Sequence, residues 1–298
     1  PNAPCRRIIF QGTKAVGVEV ESGNEVFVVE GDEILLTSGA MKSPQILMLS
    51  GVGPADHLEE FNISVVKDLP GVGQNLRDHP LATVVYKAKG KAPGVDVPLI
   101  QVCTRYTSEG SHLKSDMIIS PTLMTSEHRP TQIDLDDGDN YLGLSAGVQL
   151  AVGSGELRLK SADPNDPPYL DYNYLQEEFD RDRLREGIRK VVELENHPAI
   201  RELIVERITP TDEELASDEA LDIWLLKYTG TSHHISCTCK MGPADDRMAV
   251  VDQHGKIHGL QGIRVVDASI MPDCIRANTN ATTIMIAEKI ADYVIQGI

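Results

Sequence analysis

Two short apolar runs near opposite ends of the chain set the strongest limit on its architecture. Glu33-Ile34-Leu35-Leu36-Thr37 is apolar at nearly every position, and Gly262-Ile263-Arg264-Val265-Val266-Asp267 is a run that ends on an acid. A strand without polar alternation is expected to be covered on both faces, as in a parallel-type sheet. Parallel partners need a crossover connection, and here most of the chain lies between the two runs. That intervening stretch has the turn spacing and β-branched content of an antiparallel sheet, interrupted by helical patterns. The expected class is therefore mixed, α+β / α/β, with both ends sharing one sheet and the middle forming an antiparallel sheet with flanking helices.

Residues 7–10, 15–20 and 25–29 read as a meander, with turn signals at Gly12-Thr13 and Ser22-Gly23-Asn24. Ser43-Pro44 predicts the start of a helix over 43–50, closed by Gly51. The Gly- and Pro-rich stretch 51–80 reads as a loop, a short helix, a strand at 63–66 and an extended connection. Strands are expected at 82–88, 98–104, 116–120, 142–150 and 156–160. Leu184, Ile188, Val191 and Val192 place one apolar face on a helix over 177–196. Further helices fit 217–228 and 281–295, the latter with Ile284, Ala287, Ile290, Ala291 and Val294 inward. Residues 231–240 read as a strand. The acidic run 134–139 lacks the liganding order of a calcium loop and reads as solvated.

Charge narrows the function. The 298 residues carry 45 acidic against 28 basic side chains, a net charge of −17. Phosphate contact requires a basic surface, so this balance argues against a nucleic-acid partner and against adhesion to an anionic membrane. No apolar run approaches the ~18 residues of a transmembrane helix. Five cysteines, an odd number, argue against a disulfide framework and for a reducing, cytoplasmic setting. Gly51-Val52-Gly53 and Gly71-Val72-Gly73 each begin a G-x-G pattern without its third glycine, so they read as tight turns rather than dinucleotide cradles.

Among nine histidines, His233-His234 stand out because they precede Ile-Ser-Cys-Thr-Cys in a stretch with few charges. On an extended chain His233, Cys237 and Cys239 would share a face. Zinc ligation, a satisfied core histidine and acid/base catalysis all remain open there. The C-x-C spacing disfavours zinc, and no metal is assigned. Asn278-Thr279-Asn280 opens the last helix, whose free N–H groups would favour an electron-rich ring or a developing anion.

Four blocks of sequence resemble the carboxy-terminal half of the glucose–methanol–choline (GMC) oxidoreductases, FAD-dependent alcohol oxidases and dehydrogenases. They are Gly39-Ala40-Met41-Lys42-Ser43-Pro44-Gln45 through Gly53; Leu69-Pro70-Gly71-Val72-Gly73-Gln74-Asn75-Leu76-Arg77-Asp78-His79; Gly155-Glu156-Leu157-Arg158-Leu159 through Tyr174-Leu175; and His234 to Gly242 with Val266-Asp267-Ala268-Ser269 and Asn278-Thr279-Asn280. They follow the family's order over nearly the whole chain.

The resemblance implies FAD as cofactor and a small-molecule alcohol as substrate. It implies that residues 1–80 and 230–298 are the carboxy-terminal portion of a Rossmann-like FAD-binding domain, and 81–229 a substrate domain. By position, His234 would take the hydroxyl proton and Asn278 would hold the substrate oxygen. Asp267 and Ala268 would lie along the flavin's ribityl–phosphate region, Thr279 and Asn280 would approach the ring edge, the backbone of Cys5 would meet the adenine part, and Ser38 would lie close to the same cofactor. His233 and Arg276 would border the substrate; Arg276 would favour an anionic one if it points into the pocket, the alternative being a surface or FAD-phosphate contact. Cys237 stands where the family usually has Gly. The family's G-x-G-x-x-G unit does not occur, so the expectation is an incomplete chain. Activity would then require an amino-terminal ADP-binding portion, in the same or a separate chain. A hydroxynitrile-lyase-type flavoprotein and a non-catalytic binding module are the alternatives.

Overall fold

The computed structural model describes residues 2–90, 100, 102–124, 133, 135 and 140–298. In chain order the elements are β1 (Cys5–Gln11), β2 (Lys14–Ser22), β3 (Glu25–Glu30), β4 (Ile34–Leu36), α1 (Gly39–Leu49), β5 (Val52–Gly53), α2 (Ala55–Glu60), β6 (Lys67–Asp68), β7 (Pro80–Ala88), β8 (Thr104–Tyr106), β9 (Met117–Met124) and β10 (Tyr141–Val148). There follow β11 (Glu156–Arg158), β12 (Tyr169–Asp171), α3 (Glu178–Leu194), α4 (Pro198–Arg201), β13 (Ile204–Thr209), α5 (Asp212–Leu215), α6 (Asp218–Tyr228), β14 (Gly230–Thr231), β15 (Ile263–Val265) and α7 (Asn280–Ile295). Apart from Leu135, the acidic run at 134–139 lies outside the described residues.

The chain divides into two compact units, one made of Pro1–Asp78, Ser154–Asn173 and His234–Ile298, the other of His79–Gly153 and Tyr174–His233. The stretch expected as 81–229 is thus interrupted. Residues 154–173 join the first unit because Leu76 and Gly155 exchange backbone hydrogen bonds at 2.9 Å and Leu157 N–H donates to Gly73 O.

In the first unit β1, β2 and β3 form the expected antiparallel meander. The two terminal runs meet as anticipated: β15 pairs β4 in parallel, Ile263 opposite Ile34 and Val265 opposite Leu36. β15 is buried throughout, but Leu35 is 48% exposed, against the expectation of cover on both faces. Alternate side chains of β4 point to opposite faces, so Ile34 and Leu36 enter the core while Leu35 points away from it. All six positions of β3 are exposed as well, including Val26, Phe27, Val28 and Val29.

In the second unit the strands run β13-β7-β10-β9-β8, with β14 also paired to β7. The strand expected at 98–104 is seen from Thr104 onward; 98, 99 and 101 lie outside the described residues. Leu184, Ile188 and Val191 of α3 pack with Leu221, Trp224 and Leu225 of α6 against Val84, Tyr86 and Ala146 of the sheet. The predicted apolar face of α3 is therefore the observed one, and Ser217 caps α6 as its spacing requires.

Three other expectations are corrected. The strand expected at 63–66 is instead the two-residue β6, paired in parallel with β5. In α7 the buried residues are Ile286 and Ile290, while Ile284, Ala287 and Ala291 are exposed; apolar residues surround this helix, so its sequence left the phase open. Helix α1 begins at Gly39, not at 43, and Pro44 lies inside it. A proline there removes the N–H that would bond the carbonyl of Ala40. That carbonyl is not orphaned, because Thr238 Oγ1 donates to it at 2.6 Å from 198 positions away.

Thr238 is fully buried, so Thr238→Val is expected to strand the Ala40 carbonyl at a cost of about 1–3 kcal/mol. In a Pro44→Ala background, where a helical N–H is restored, the same substitution should cost markedly less. Urea unfolding of the four members of this cycle checks it, and additive losses would contradict it.

Candidate active site

The site is built around the buried carboxylate of Asp267, at the end of β15. Its Oδ2 accepts the Gly39 N–H at 3.0 Å and the Ser43 hydroxyl at 2.5 Å, and its Oδ1 accepts the Ser269 N–H at 2.8 Å. The negative group thus sits on the first turn of α1, where the helix dipole favours it. Ser43, expected as a helix cap, serves inside α1 as a partner of this acid and of the Ser38 N–H.

Asp267 also starts the turn of residues 268–270, whose carbonyls hold the next segment in place. Cys237 N–H donates to Ala268 O, Cys239 N–H to Ser269 O and Met241 N–H to Ile270 O, at 3.1, 2.9 and 2.9 Å. Residues 231–240 are consequently not the strand expected. Beyond β14 they are an irregular segment tethered residue by residue, with Arg77 and Ser236 exchanging backbone hydrogen bonds at 3.1 and 2.9 Å. The shared face proposed for His233, Cys237 and Cys239 does not exist in that form. Among the described residues no group of three or more His, Cys, Asp or Glu side chains is arranged to hold a metal ion.

The backbone here is strained. His233 and Cys237 have φ values of +60° and +71°, the left-handed region that costs a non-glycine residue about 1–3 kcal/mol. Cys237 therefore keeps a conformation suited to Gly. Its fully buried thiol is pushed up to about 12 by loss of solvation, and burial raises that of Cys239 further.

From this segment the His234 ring reaches Asn278, with Asn278 Nδ2 3.1 Å from His234 Nε2, although 44 positions separate them. As oriented, the amide donates and Nε2 carries a lone pair. The His234 backbone N–H donates to Asp78 Oδ1 at 3.0 Å. Asp78 belongs to a block quoted for its resemblance, but its position alone pointed to no role. Thr279 and Asn280 begin α7, a 16-residue helix with no side-chain cap. Ala268 is half-buried beside Asp267, and Arg276 is exposed. His233 is exposed too and is the last residue of the second unit.

Cys5 and Ser38 come together elsewhere in the first unit. They line a cavity of about 320 Å³ with Lys42, Gln45 and Asn165, which includes neither His234 nor Asn278. A larger cavity of about 470 Å³, lined by Gln74, Asn75, Glu156, Asp171 and Lys240, contains none of the expected site residues.

The site's fit to a flavin is uneven. The uncapped start of α7 beside Asn278 presents N–H groups suited to an electron-rich ring edge. The Gly-rich turns do not suit a pyrophosphate. A Cβ on Gly71 would lie 2.3 Å from Met248 O, and one on Gly73 2.3 Å from Leu157 O, so the protein's own backbone already fills those spaces.

In native protein near pH 8, a thiol reagent is expected to label exposed Cys103 promptly and to spare Cys237 and Cys239 until denaturant is added. Peptide mapping after a short pulse reads this directly, and early labelling of Cys237 would contradict its placement.

Comparison with known proteins agrees with the resemblance. Residues 1–81 and 151–287 match the two family models described as GMC oxidoreductase. The chain is 38% identical to an oxygen-dependent choline dehydrogenase of Yersinia pseudotuberculosis, covering 97% of this chain and 54% of the relative. A protein of the same description from Ectopseudomonas mendocina is 40% identical, with coverages of 98% and 55%. The chain thus spans about half the length of these curated relatives. Among solved structures, pyridoxine 4-oxidase from Mesorbium loti superposes with a TM-score of 0.87 at 25% identity, over 97% of this chain and 56% of that one. Formate oxidase from Aspergillus oryzae gives 0.88 at 22%, over 98% and 59%.

Proposed function

The chain belongs to the GMC oxidoreductase family, whose cofactor is FAD, and from that premise we propose that it carries the proton-handling half of an FAD-dependent alcohol oxidation. The observation that carries this reading is the 3.1 Å pairing of His234 with Asn278 at the uncapped start of α7. Bound FAD supplies the hydride acceptor. His234 Nε2 accepts the proton of the substrate hydroxyl, and Asn278 Nδ2 donates to the same oxygen. A substrate oxygen entering between the two would replace the hydrogen bond they now share. Because hydride leaves the carbinol carbon readily only as the oxygen loses its proton, a base at that atom is worth ~10²–10⁴-fold.

Asp267 does not point at the cofactor in this reading. Its carboxylate is used on α1, and the backbone beside it and Ala268 is what approaches the flavin. Cys5, in its separate cavity, meets the adenine part, and Ser38 in the same cavity lies close to the cofactor. Arg276 borders the substrate.

We further propose that activity requires an ADP-binding portion, in this or a separate chain. The filled Gly-rich turns support this, as do the exposed apolar residues of β3, Leu35 of β4, and Ile284 and Met285 of α7. The free cysteines support a reducing compartment such as the cytoplasm. Among the described residues no helix is long and apolar enough to cross a membrane.

The test is anaerobic reduction. The chain is assembled with an ADP-binding portion from a relative, loaded with FAD, and mixed with choline or another small primary alcohol. Bleaching of the flavin is expected, and His234→Ala should slow it at least ~100-fold. A loss under about threefold would remove His234 from the role of base. Retained flavin that no alcohol bleaches would favour the lyase chemistry instead.

A further inference from the structure

The ring of His234 is held to Asn278 by a segment with no regular structure and with a left-handed residue on each side of it in sequence. Such a segment keeps its shape only where its surroundings over-determine it. The tethers downstream of the histidine include the Arg77–Ser236 pair, the bonds of Thr238 to Gly73 and Ala40, and the turn of residues 268–270. Asp78 is different, because it binds the histidine's own backbone N–H, at 3.0 Å. It is 3% exposed in a protein of net charge −17, and a buried carboxylate is costly unless hydrogen bonds use it.

We propose that Asp78 is a positioning residue, fixing the backbone of His234 so that Nε2 faces Asn278. It is not a catalytic residue, since no contact of its own with the ring or a substrate is needed. The inference rests on reading His234 and Asn278 as the reacting pair, but positioning can be measured without flavin. Asp78 ends the opening segment of the first unit and directly follows the Arg77–Ser236 bridge. Loss of its acceptor should therefore be felt first at His234.

The experiment uses the whole chain labelled with ¹⁵N-histidine, the His234 signals being identified by their loss in His234→Gln. In the unsubstituted chain the His234 amide is expected to exchange with solvent about 100-fold more slowly than an unprotected amide. In Asp78→Ala that protection should fall at least about tenfold, and the Nε2 resonance should shift or broaden as the Asn278 contact is lost. Asp78→Asn keeps an oxygen acceptor and should restore both signals. A folded Asp78→Ala with unchanged Nε2 signal and protection overturns the proposal, and so does an Asp78→Asn that behaves like the alanine variant. Should Asp78→Ala fail to fold, rapid exchange of the His234 amide in the unsubstituted chain overturns it alone. None of these readouts depends on alcohol oxidation, so the positioning claim and the acid/base reading can fail separately.

Discussion

The carboxylate of Asp267 is the joint on which the first unit depends. It leaves β15, the strand paired with β4, and takes up donors from the helix that follows β4, 228 positions earlier in the chain. One buried charge thereby closes the circuit between the amino-terminal and carboxy-terminal portions. A carboxylate is well suited to this, since the first N–H groups of α1 carry partial positive charge and no backbone acceptor of their own. The same residue begins the turn that tethers 237–241. The segment that carries His234 is therefore held from the sheet end by a chain of hydrogen bonds running through residues 268–270, while Asp78 holds the histidine's own backbone N–H.

This arrangement divides the work of the site in a way that residue identity did not reveal. Asp267 was expected along the cofactor, yet its side chain is occupied in holding α1. Cys237, in place of glycine, keeps the left-handed backbone at the cost of strain, and its sulfur is buried. Asn278 and His234 instead meet each other, Nδ2 to Nε2 at 3.1 Å. Exposed apolar residues on β3, β4 and α7 mark the surfaces of the first unit that lack a neighbour among the described residues.

Much of the fold was legible in the sequence. The meander of residues 5–30, the parallel pairing of the terminal runs and the apolar face of α3 all follow from local periodicity and turn chemistry. What was not legible depends on distant partners. Ser43-Pro44 has the local form of a helix start, and only Asp267 and Thr238, far along the chain, make an earlier start at Gly39 workable. Residues 231–240 have strand-like composition, but their hydrogen bonds run to Arg77 and to the turn at 268–270 instead of to a ladder. In the candidate site, His234 and Asn278 were found through their family positions and then brought together by the structure. Asp78 lay in a recognisable block without a local pattern to say that its acceptor would serve a residue 156 positions away.

The proline inside α1 carries a consequence for the order of events during synthesis. The carbonyl of Ala40 receives its hydrogen bond from a hydroxyl that emerges 198 residues later. At ~5–20 residues per second, a ribosome needs about 10–40 s to cover that distance. Throughout that interval the first turn of the helix is missing a donor, and Asp267, which steadies its start, is later still. The start of α1 is thus kept unfinished until Thr238 and Asp267 have both been made.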